Sequence, residues 1–152
     1  MTRIATRKNK TSPTQQGLKL LRSLGYRCED VQRKVYPKGK FPISMDFMGL
    51  MDYVAMKPGK RLLGVNFTSN TNHGAHTTSY LSNLETKKIR FGKIRRSNKL
   101  DNLAFWLDMG FRFQLISFPN RRITEFVLGE KGKAIWYGDI DLPDDRVEKF
   151  EN

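Results

Sequence analysis

Two short apolar segments on either side of Pro58-Gly59 constrain the fold of this chain more than any other feature of its sequence. The first runs from Asp46 to Met56 and the second from Arg61 to Thr68. Apolar segments of this length around a Pro-Gly turn are typical of a β-hairpin. The first segment contains Asp52 among apolar neighbours, and a buried carboxylate must be paired, coordinated or neutralised. A bound metal ion would offset the cost of burying it.

The second segment carries two polar residues that could join Asp52 in one site. Asn66 and Thr68 share a strand face, because side chains alternate along a strand with a period of two. Simple closure around the turn places Asp52 opposite Val65, and therefore on the other face of the sheet from Asn66. One extra residue in the hairpin would correct this, so we predict a β-bulge. The candidates to host it are Gly59 and Gly64.

A second acid, Asp46, precedes Asp52 by six residues. In a straight strand, six steps of about 3.3 Å would separate the two by about 20 Å, which is too far for one metal ion. A bend at Gly49 would bring Asp46 back to Asp52. Without that bend, Asp46 is a turn or capping residue at the entrance to the strand.

The rest of the sequence predicts a mixed α/β (α+β) layout. Ser12-Pro13-Thr14-Gln15 is typical of a helix start, and this helix is expected to reach Leu24, with Gly25 as its cap. Further helices are expected over residues 79–96, which are strongly basic, and 100–109, with a polar loop over 70–78. Strands are expected over 26–36, as a weak one, and over 111–118, 123–128 and 134–140.

The charge balance points to a polyanionic partner. The chain has 28 Lys and Arg against 15 Asp and Glu, a net charge of +13, which favours binding to nucleic acid. The residues expected to contact phosphates lie in two basic clusters: Arg7, Lys8 and Lys10, and then Lys87, Lys88, Arg90, Lys93, Arg95 and Arg96. No base-reading motif such as a zinc finger is visible.

Length and composition predict one domain over residues 12–140, with a flexible basic arm at 1–11 and an acidic tail at 141–152. No apolar run approaches the roughly 20 residues of a spanning helix, and no signal-peptide core is present, so a cytoplasmic location without membrane contact is expected. The single cysteine, Cys28, excludes an intramolecular disulfide and suits a reducing compartment.

The hairpin resembles the core of the PD-(D/E)XK nucleases. Its matching stretches are Gly49-Leu-Met-Asp52-Tyr-Val54 and Gly64-Val-Asn66-Phe-Thr68-Ser69. That superfamily places a metal-binding Asp on one strand and a (D/E)-x-K triplet on the adjacent strand. Asp52 matches the first position, whereas Asn66 stands at the position of the acid and Thr68 at that of the lysine.

Small phage-type relatives in that superfamily have Gln at the acid position followed by Thr-Ser. The chain is similar to them through Asp46-Phe-x-Gly and Trp106-Leu-x-x-Gly110, and the resemblance spans roughly residues 12 to 128. It implies a restriction-endonuclease-like mixed β-sheet flanked by helices. It also implies a metal-dependent DNA endonuclease that uses Mg²⁺ or Mn²⁺.

The resemblance also assigns roles to residues. Asp52 and Asn66 are the expected metal ligands, although an Asn carbonyl brings no negative charge and should lower metal affinity. Asp46 and Thr68 are further catalytic candidates, and His73 is a candidate base or phosphate ligand, since the mismatch-repair branch uses a histidine. The charge of the missing lysine would come from Lys60, Lys87, Lys88 or His73. Nucleases of this kind are often homodimers, since two DNA strands need two sites.

Two other functions stay open. The first is a DNA-binding protein on the same scaffold that no longer cuts. The second is a basic RNA-binding protein in which Asp52 is a buried acid paired with an arginine. Metal dependence separates the nuclease from both, and a preference for duplex DNA over structured RNA separates these two from each other.

Overall fold

A computed structural model describes residues 11–35, 38, 43–83, 85–90, 93–96, 98–132 and 134–146, which form ten strands and three α-helices. The strands are β1 (Arg27–Asp30), β2 (Arg33–Val35), β3 (Ile43–Met45), β4 (Tyr53–Met56), β5 (Leu63–Ser69), β6 (Glu85–Arg90), β7 (Lys93–Arg96), β8 (Arg112–Phe118), β9 (Arg122–Leu128) and β10 (Ile135–Ile140). The helices are α1 (Pro13–Ser23), α2 (His73–Tyr80) and α3 (Lys99–Asp108). None of these helices is both long and apolar enough to cross a membrane. The mixed α/β class expected from the sequence is confirmed.

Six of the strands form one mixed sheet in the order β1-β4-β5-β8-β9-β10. Its neighbours pair antiparallel except β5 and β8, which are parallel and need a crossover. That crossover contains α2, the two-stranded sheet β6–β7 and α3. The β2–β3 pair forms a separate two-stranded sheet.

The first helix begins where its capping sequence predicts. Ser12 Oγ accepts the N–H of Gln15 at 3.2 Å, and the Gln15 side chain accepts the Ser12 N–H at 3.4 Å. Gly25, with φ of +90°, follows the helix as expected for a cap. At Gly17 the helix approaches the sheet so closely that a Cβ there would lie 2.0 Å from the Phe67 ring. Glycine therefore lets α1 lie directly on β5.

The sheet separates two apolar layers. The layer under α1 is built on Leu21, Val65 and Ile116, and the layer under α2 and α3 is built on Tyr80, Trp106 and Phe113. All seven residues of β8 are buried, as expected for a central strand covered on both faces. Successive side chains of β5 and β8 point to alternate faces of the sheet, so they pack in turn against α1 and against the α2–α3 side.

The hairpin around Pro58-Gly59 forms, but its register differs from simple closure. Tyr53 lies opposite Val65 and Ala55 opposite Leu63, so the register is shifted by one residue and the three pairs are continuous. The predicted β-bulge is wrong. The connection is longer than a tight turn, spanning residues 57–62, and this length supplies the extra residue. Asp52, next in register, therefore falls on the same face as Asn66.

Two predicted elements are wrong. Residues 85–90 and 93–96 are not helical but form the β6–β7 pair, with Thr86 opposite Arg95 and Arg90 opposite Lys93. Crowded like charges destabilise a helix, whereas the β-branched Thr and Ile residues favour a strand. Conversely, the polar stretch expected to be a loop contains a 3₁₀ turn at Asn70–Asn72 and then α2. The region expected to be one weak strand, 26–36, contains two short strands, β1 and β2, which belong to different sheets.

The described part of the acidic tail lies against the α1 side of the sheet. Asp144 accepts hydrogen bonds from Tyr26 and from Lys57, the latter at 3.0 Å. Arg112, on β8, donates to the backbone carbonyls of Pro143 at 3.2 Å and Asp145 at 2.8 Å. These contacts hold residues 143–145 on the sheet, on the opposite face from Asn66.

Candidate active site

The chain reverses sharply between Asp46 and Asp52. The Phe47 N–H donates to the Met51 carbonyl at 2.8 Å, and the Gly49 N–H donates to the Asp46 carbonyl at 3.0 Å. Gly49 has φ of +62°, in the left-handed region that glycine adopts without strain. Of the two alternatives left open for Asp46, the bend at Gly49 is the one observed, and it brings the Asp46 side chain into hydrogen-bonding contact with Asp52.

The Asp46 carboxyl group perturbs the titration of Asp52. Burial is the largest cause that raises the pKa of Asp52 to about 7, followed by the hydrogen bond and the charge of Asp46. Asp30 raises this pKa further, whereas the ammonium group of Lys99 lowers it. A cation that approaches a carboxyl group in this environment stabilises its ionised form.

Asn66 holds the backbone that carries Asp52. Its Oδ1 accepts the Asp52 N–H at 2.7 Å, and its Nδ2 donates to the Leu50 carbonyl and to the Tyr80 hydroxyl, each at 2.7 Å. Both amide protons are therefore used, and Oδ1 keeps one lone pair. The predicted role of Asn66 as a metal ligand would depend on that lone pair. Its described contacts fix the position of Asp52.

Thr68 lies two residues further along the same face and is buried, with 7 % of its surface exposed. It stands opposite Ser117 in the parallel β5–β8 pair. A threonine hydroxyl can donate or accept a hydrogen bond but carries no charge. Its predicted catalytic role stays a prediction, limited to hydrogen bonding.

His73 lies in a different environment from Asp46 and Asp52, which together are called the acid pair below. It is 1 % exposed, its Nδ1 lies 2.8 Å from Ser117 Oγ, and its Nε2 lies 2.7 Å from Thr124 Oγ1. Thr124 in turn donates to Asp139 at 2.7 Å, so its oxygen accepts the Nε2 proton and Ser117 donates to Nδ1. Burial is the main cause that lowers the His73 pKa. These partners occupy both ring nitrogens, and none of them belongs to the acid pair.

The sequence analysis missed three residues beside the acid pair, namely His76, Tyr80 and Lys99. His76 has its pKa lowered mainly by burial and by Lys99, and raised by Asp46. The Lys99 Nζ lies 5.6 Å from the centre of the Tyr80 ring, which also packs against His76 at 6.2 Å. Had residues 73–80 been predicted as a helix, the four-residue spacing of His76 and Tyr80 would have placed both on one face.

The predicted phosphate-binding residues are only partly described. Arg7, Lys8 and Lys10 lie outside the described residues. The second cluster lies on the β6–β7 pair, with Lys87, Lys88 and Arg90 on β6 and Lys93, Arg95 and Arg96 on β7. Lys60, proposed as a source of the missing positive charge, lies in the connection that follows β4, at the opposite end of that strand from Asp52.

The donor set suits a hard cation with few protein ligands. Within the described residues, no three His, Cys, Asp or Glu side chains come together as a metal site. Mg²⁺ commonly uses one or two carboxylates and completes its shell with water and substrate phosphate oxygens. The adjacent carboxylates of Asp46 and Asp52 fit that requirement.

Comparison with known proteins adds no relative: no family model, curated protein or solved structure matches the chain. The resemblance to PD-(D/E)XK nucleases therefore rests on the sequence stretches given above. The functional interpretation rests on the geometry around Asp46 and Asp52.

Proposed function

We propose that this protein is a metal-dependent DNA endonuclease of the PD-(D/E)XK type. The observation that carries the proposal is the contact between Asp46 and Asp52, six residues apart and joined by the turn at Gly49. Bringing two carboxyl groups together is costly, and metal-dependent hydrolysis gives a reason for it. Asp52 directly precedes β4 and Asn66 lies on the adjacent β5, which is close to the pattern of this superfamily, in which the Asp lies on the strand itself.

Asp46 and Asp52 would hold the metal ion, Mg²⁺ or Mn²⁺. Bound there, such an ion supplies a Lewis acid for the phosphate and lowers the pKa of a coordinated water. Asn66 keeps Asp52 in place through the backbone N–H, and Tyr80 keeps Asn66 in place. The protein thus fixes the two carboxylates before substrate arrives, which removes a reorganisation cost from the reaction.

The reaction is hydrolysis of a phosphodiester. The water oxygen forms a bond to phosphorus, the bond from phosphorus to one ester oxygen breaks, and a proton from water ends on the leaving oxygen. His76 is half-buried, and its electrostatic contacts include Asp46, so it is our candidate for the base. With a lowered pKa it is neutral at pH 7 and can accept a proton.

Charge and shape support DNA as the substrate. The net charge of +13 attracts a polyanion, and six basic residues of the second cluster lie on the two-stranded β6–β7 pair. A two-stranded ribbon is one of the shapes that the major groove of B-DNA admits. The proposal therefore expects β6–β7 to contact duplex DNA while the acid pair meets the backbone.

A second candidate is a DNA-binding protein that does not cut. The bonds of Asn66 favour it, because they give this residue a structural role without any metal. An RNA-binding role is the third reading, and the same experiment can detect it.

The decisive experiment incubates purified protein with supercoiled plasmid, branched DNA and structured RNA in Mg²⁺, Mn²⁺ or EDTA. Wild type is compared with Asp52→Asn and with the matched control Asp108→Asn, an exposed acid at the end of α3. We expect metal-dependent DNA cleavage that Asp52→Asn lowers by at least about 100-fold, as for loss of a principal electrostatic contact. Asp108→Asn should cleave like wild type.

Cleavage that is equal in all three proteins would indicate a contaminating nuclease and remove the proposal. Binding to DNA without cleavage under any condition would favour the second candidate. Tighter binding to RNA than to duplex DNA, again without cleavage, would favour the third.

A further inference from the structure

Lys99 lies on the face of α3 that contacts the turn between Asp46 and Asp52. Asn102, three residues after it, donates its side-chain N–H to the Met48 carbonyl inside this turn. Trp106, four residues further on, packs edge-on against the Phe47 ring with 6.4 Å between ring centres. Residues spaced by three and four share one face of a helix. Lys99 therefore lies on the same face of α3 as Asn102 and Trp106, the two residues that contact the turn between Asp46 and Asp52.

The Lys99 side chain is also oriented by an aromatic ring. Its Nζ lies 5.6 Å from the centre of the Tyr80 ring, in a cation–π contact. The Tyr80 hydroxyl lies 2.7 Å from Asn66 Nδ2, and Asn66 Oδ1 lies 2.7 Å from the Asp52 nitrogen. Lys99, Tyr80, Asn66 and Asp52 thus form one connected set. A lysine held in this way loses less rotamer freedom when it binds an anion.

The charges in the site leave a role for this ammonium group. Two carboxylates and one divalent cation cancel, so a phosphodiester that enters brings one net negative charge, and more charge develops on its oxygens during hydrolysis. Asp30 adds to the negative potential at Asp52, and the ammonium group of Lys99 opposes it. His76, neutral at pH 7, adds no positive charge.

We propose that Lys99 is a catalytic residue whose ammonium group donates a hydrogen bond to a non-bridging oxygen of the scissile phosphate. This inference rests on the proposed nuclease function and extends it to a residue outside the hairpin. An ammonium group carries three N–H donors, and a contact with the single Tyr80 ring does not use all three, so donors remain for a phosphate oxygen. Lys60, in contrast, lies beyond the far end of β4.

The test measures DNA binding and cleavage by Lys99→Met, Lys99→Arg and Lys19→Met. Lys19 is an exposed lysine on α1, across the sheet from the acid pair, and is the matched control. Binding to a short duplex is titrated against salt in Ca²⁺, and cleavage is followed in a single turnover with Mg²⁺. Thermal stabilisation by Mn²⁺ alone reports whether the carboxylates still bind metal.

We expect Lys99→Met to lower the slope of log K against log salt by about 0.9, the value for one lost phosphate contact. Its single-turnover rate should fall by about 100-fold or more, while its stabilisation by Mn²⁺ stays at the wild-type value. Lys99→Arg should recover the slope and part of the rate, and Lys19→Met should match wild type in every measurement.

A wild-type salt slope in Lys99→Met overturns the inference, as does an equal fall in Lys19→Met. A lower slope with an unchanged cleavage rate places the contact at a phosphate that is not cleaved and also overturns it. If wild type cleaves nothing, the nuclease proposal and the catalytic role fail together, and the salt slope still shows whether Lys99 contacts phosphate.

Discussion

Asn66 stands at a position where the resemblance predicts a functional residue, and its observed contacts give it a structural role. The resemblance places it at the metal-binding acid, whereas the structure shows its amide bonded on three sides to Asp52, Leu50 and Tyr80. The Asn66 amide accepts the Asp52 N–H through Oδ1 and donates to the Leu50 carbonyl through Nδ2. An aspartate at this position would be acceptor-only when ionised.

Changing Asn66 to the acid of the nuclease pattern should therefore destabilise the metal-free protein. Asn66→Asp loses the donated bond to Leu50, faces that carbonyl with a second acceptor and adds a charge beside Asp52. We expect a loss of about 2 to 3 kcal/mol in the free energy of unfolding, measured in urea with EDTA at pH 8. Asn120→Asp makes the same chemical change at an exposed position and should alter stability by less than about 0.5 kcal/mol.

An unchanged stability in Asn66→Asp would mean that the three hydrogen bonds do not hold the Asp52 segment. In that case the predicted role as a metal ligand would be the main explanation for a polar residue at position 66.

Among the larger elements, the turn between Asp46 and Asp52 decides whether a site exists at all. It depends on Gly49, whose φ is +62°, and a second glycine with positive φ, Gly59 at +79°, lies in the connection after β4. A Cβ would have room at both positions, with nothing closer than 3.9 Å at Gly49 and nothing within 4 Å at Gly59. The cost of alanine is therefore conformational at both.

Gly49→Ala and Gly59→Ala should each destabilise the protein by about 1 kcal/mol, because L-residues are strained at positive φ. Only Gly49→Ala should also reduce the stabilisation by Mn²⁺, since it moves Asp46 relative to Asp52. Thermal unfolding with and without Mn²⁺ measures both effects. Equal Mn²⁺ stabilisation in the two variants would show that the Gly49 turn does not position the proposed metal ligands.

The elements that the sequence predicts well are those with a strong local signal. The capping box before α1, the amphipathic pattern of α3 and the alternation in β8 and β9 all gave the observed element. The polar α2 and the charged β6–β7 pair lack such a signal, and both were predicted wrongly. The hairpin register was wrong by one residue because loop length, which the turn motif alone does not fix, decides it.

The candidate site follows the same division. The bend at Gly49 could be named as one of two alternatives, because a local geometric requirement singled out that residue. The proximity of His76, Tyr80 and Lys99 could not be predicted. These residues lie on α2 and α3, which come close to the turn between Asp46 and Asp52 only because of the crossover between the parallel strands β5 and β8. Non-local contacts of this kind leave no periodic trace in the sequence.

At the scale of the whole molecule, the sheet places the proposed site and the tail contacts on opposite faces. The tail side contains a buried ion pair in which Arg112 Nε donates to Glu125 Oε2 at 3.2 Å and Nη2 donates to Oε1. Arg112 is 6 % exposed and Glu125 is 0 % exposed, and Arg112 also holds the carbonyls of Pro143 and Asp145. This network therefore stabilises the fold without contacting the acid pair.

Breaking the network should lower stability and leave metal binding intact. Arg112→Met leaves the Glu125 carboxylate buried without its cationic partner, so we expect a loss of about 3 to 5 kcal/mol in the free energy of unfolding. Adding Glu125→Gln removes that charge and keeps an acceptor for Gln114 Nε2, so the double variant should be more stable than the single one. Because distant sites act independently, the affinity for Mn²⁺, measured by calorimetry on folded protein, should stay within about twofold of wild type. A large fall in Mn²⁺ affinity would show that the two faces of the sheet are coupled, and that the acid pair depends on packing across the whole sheet rather than on the Gly49 turn and Asn66.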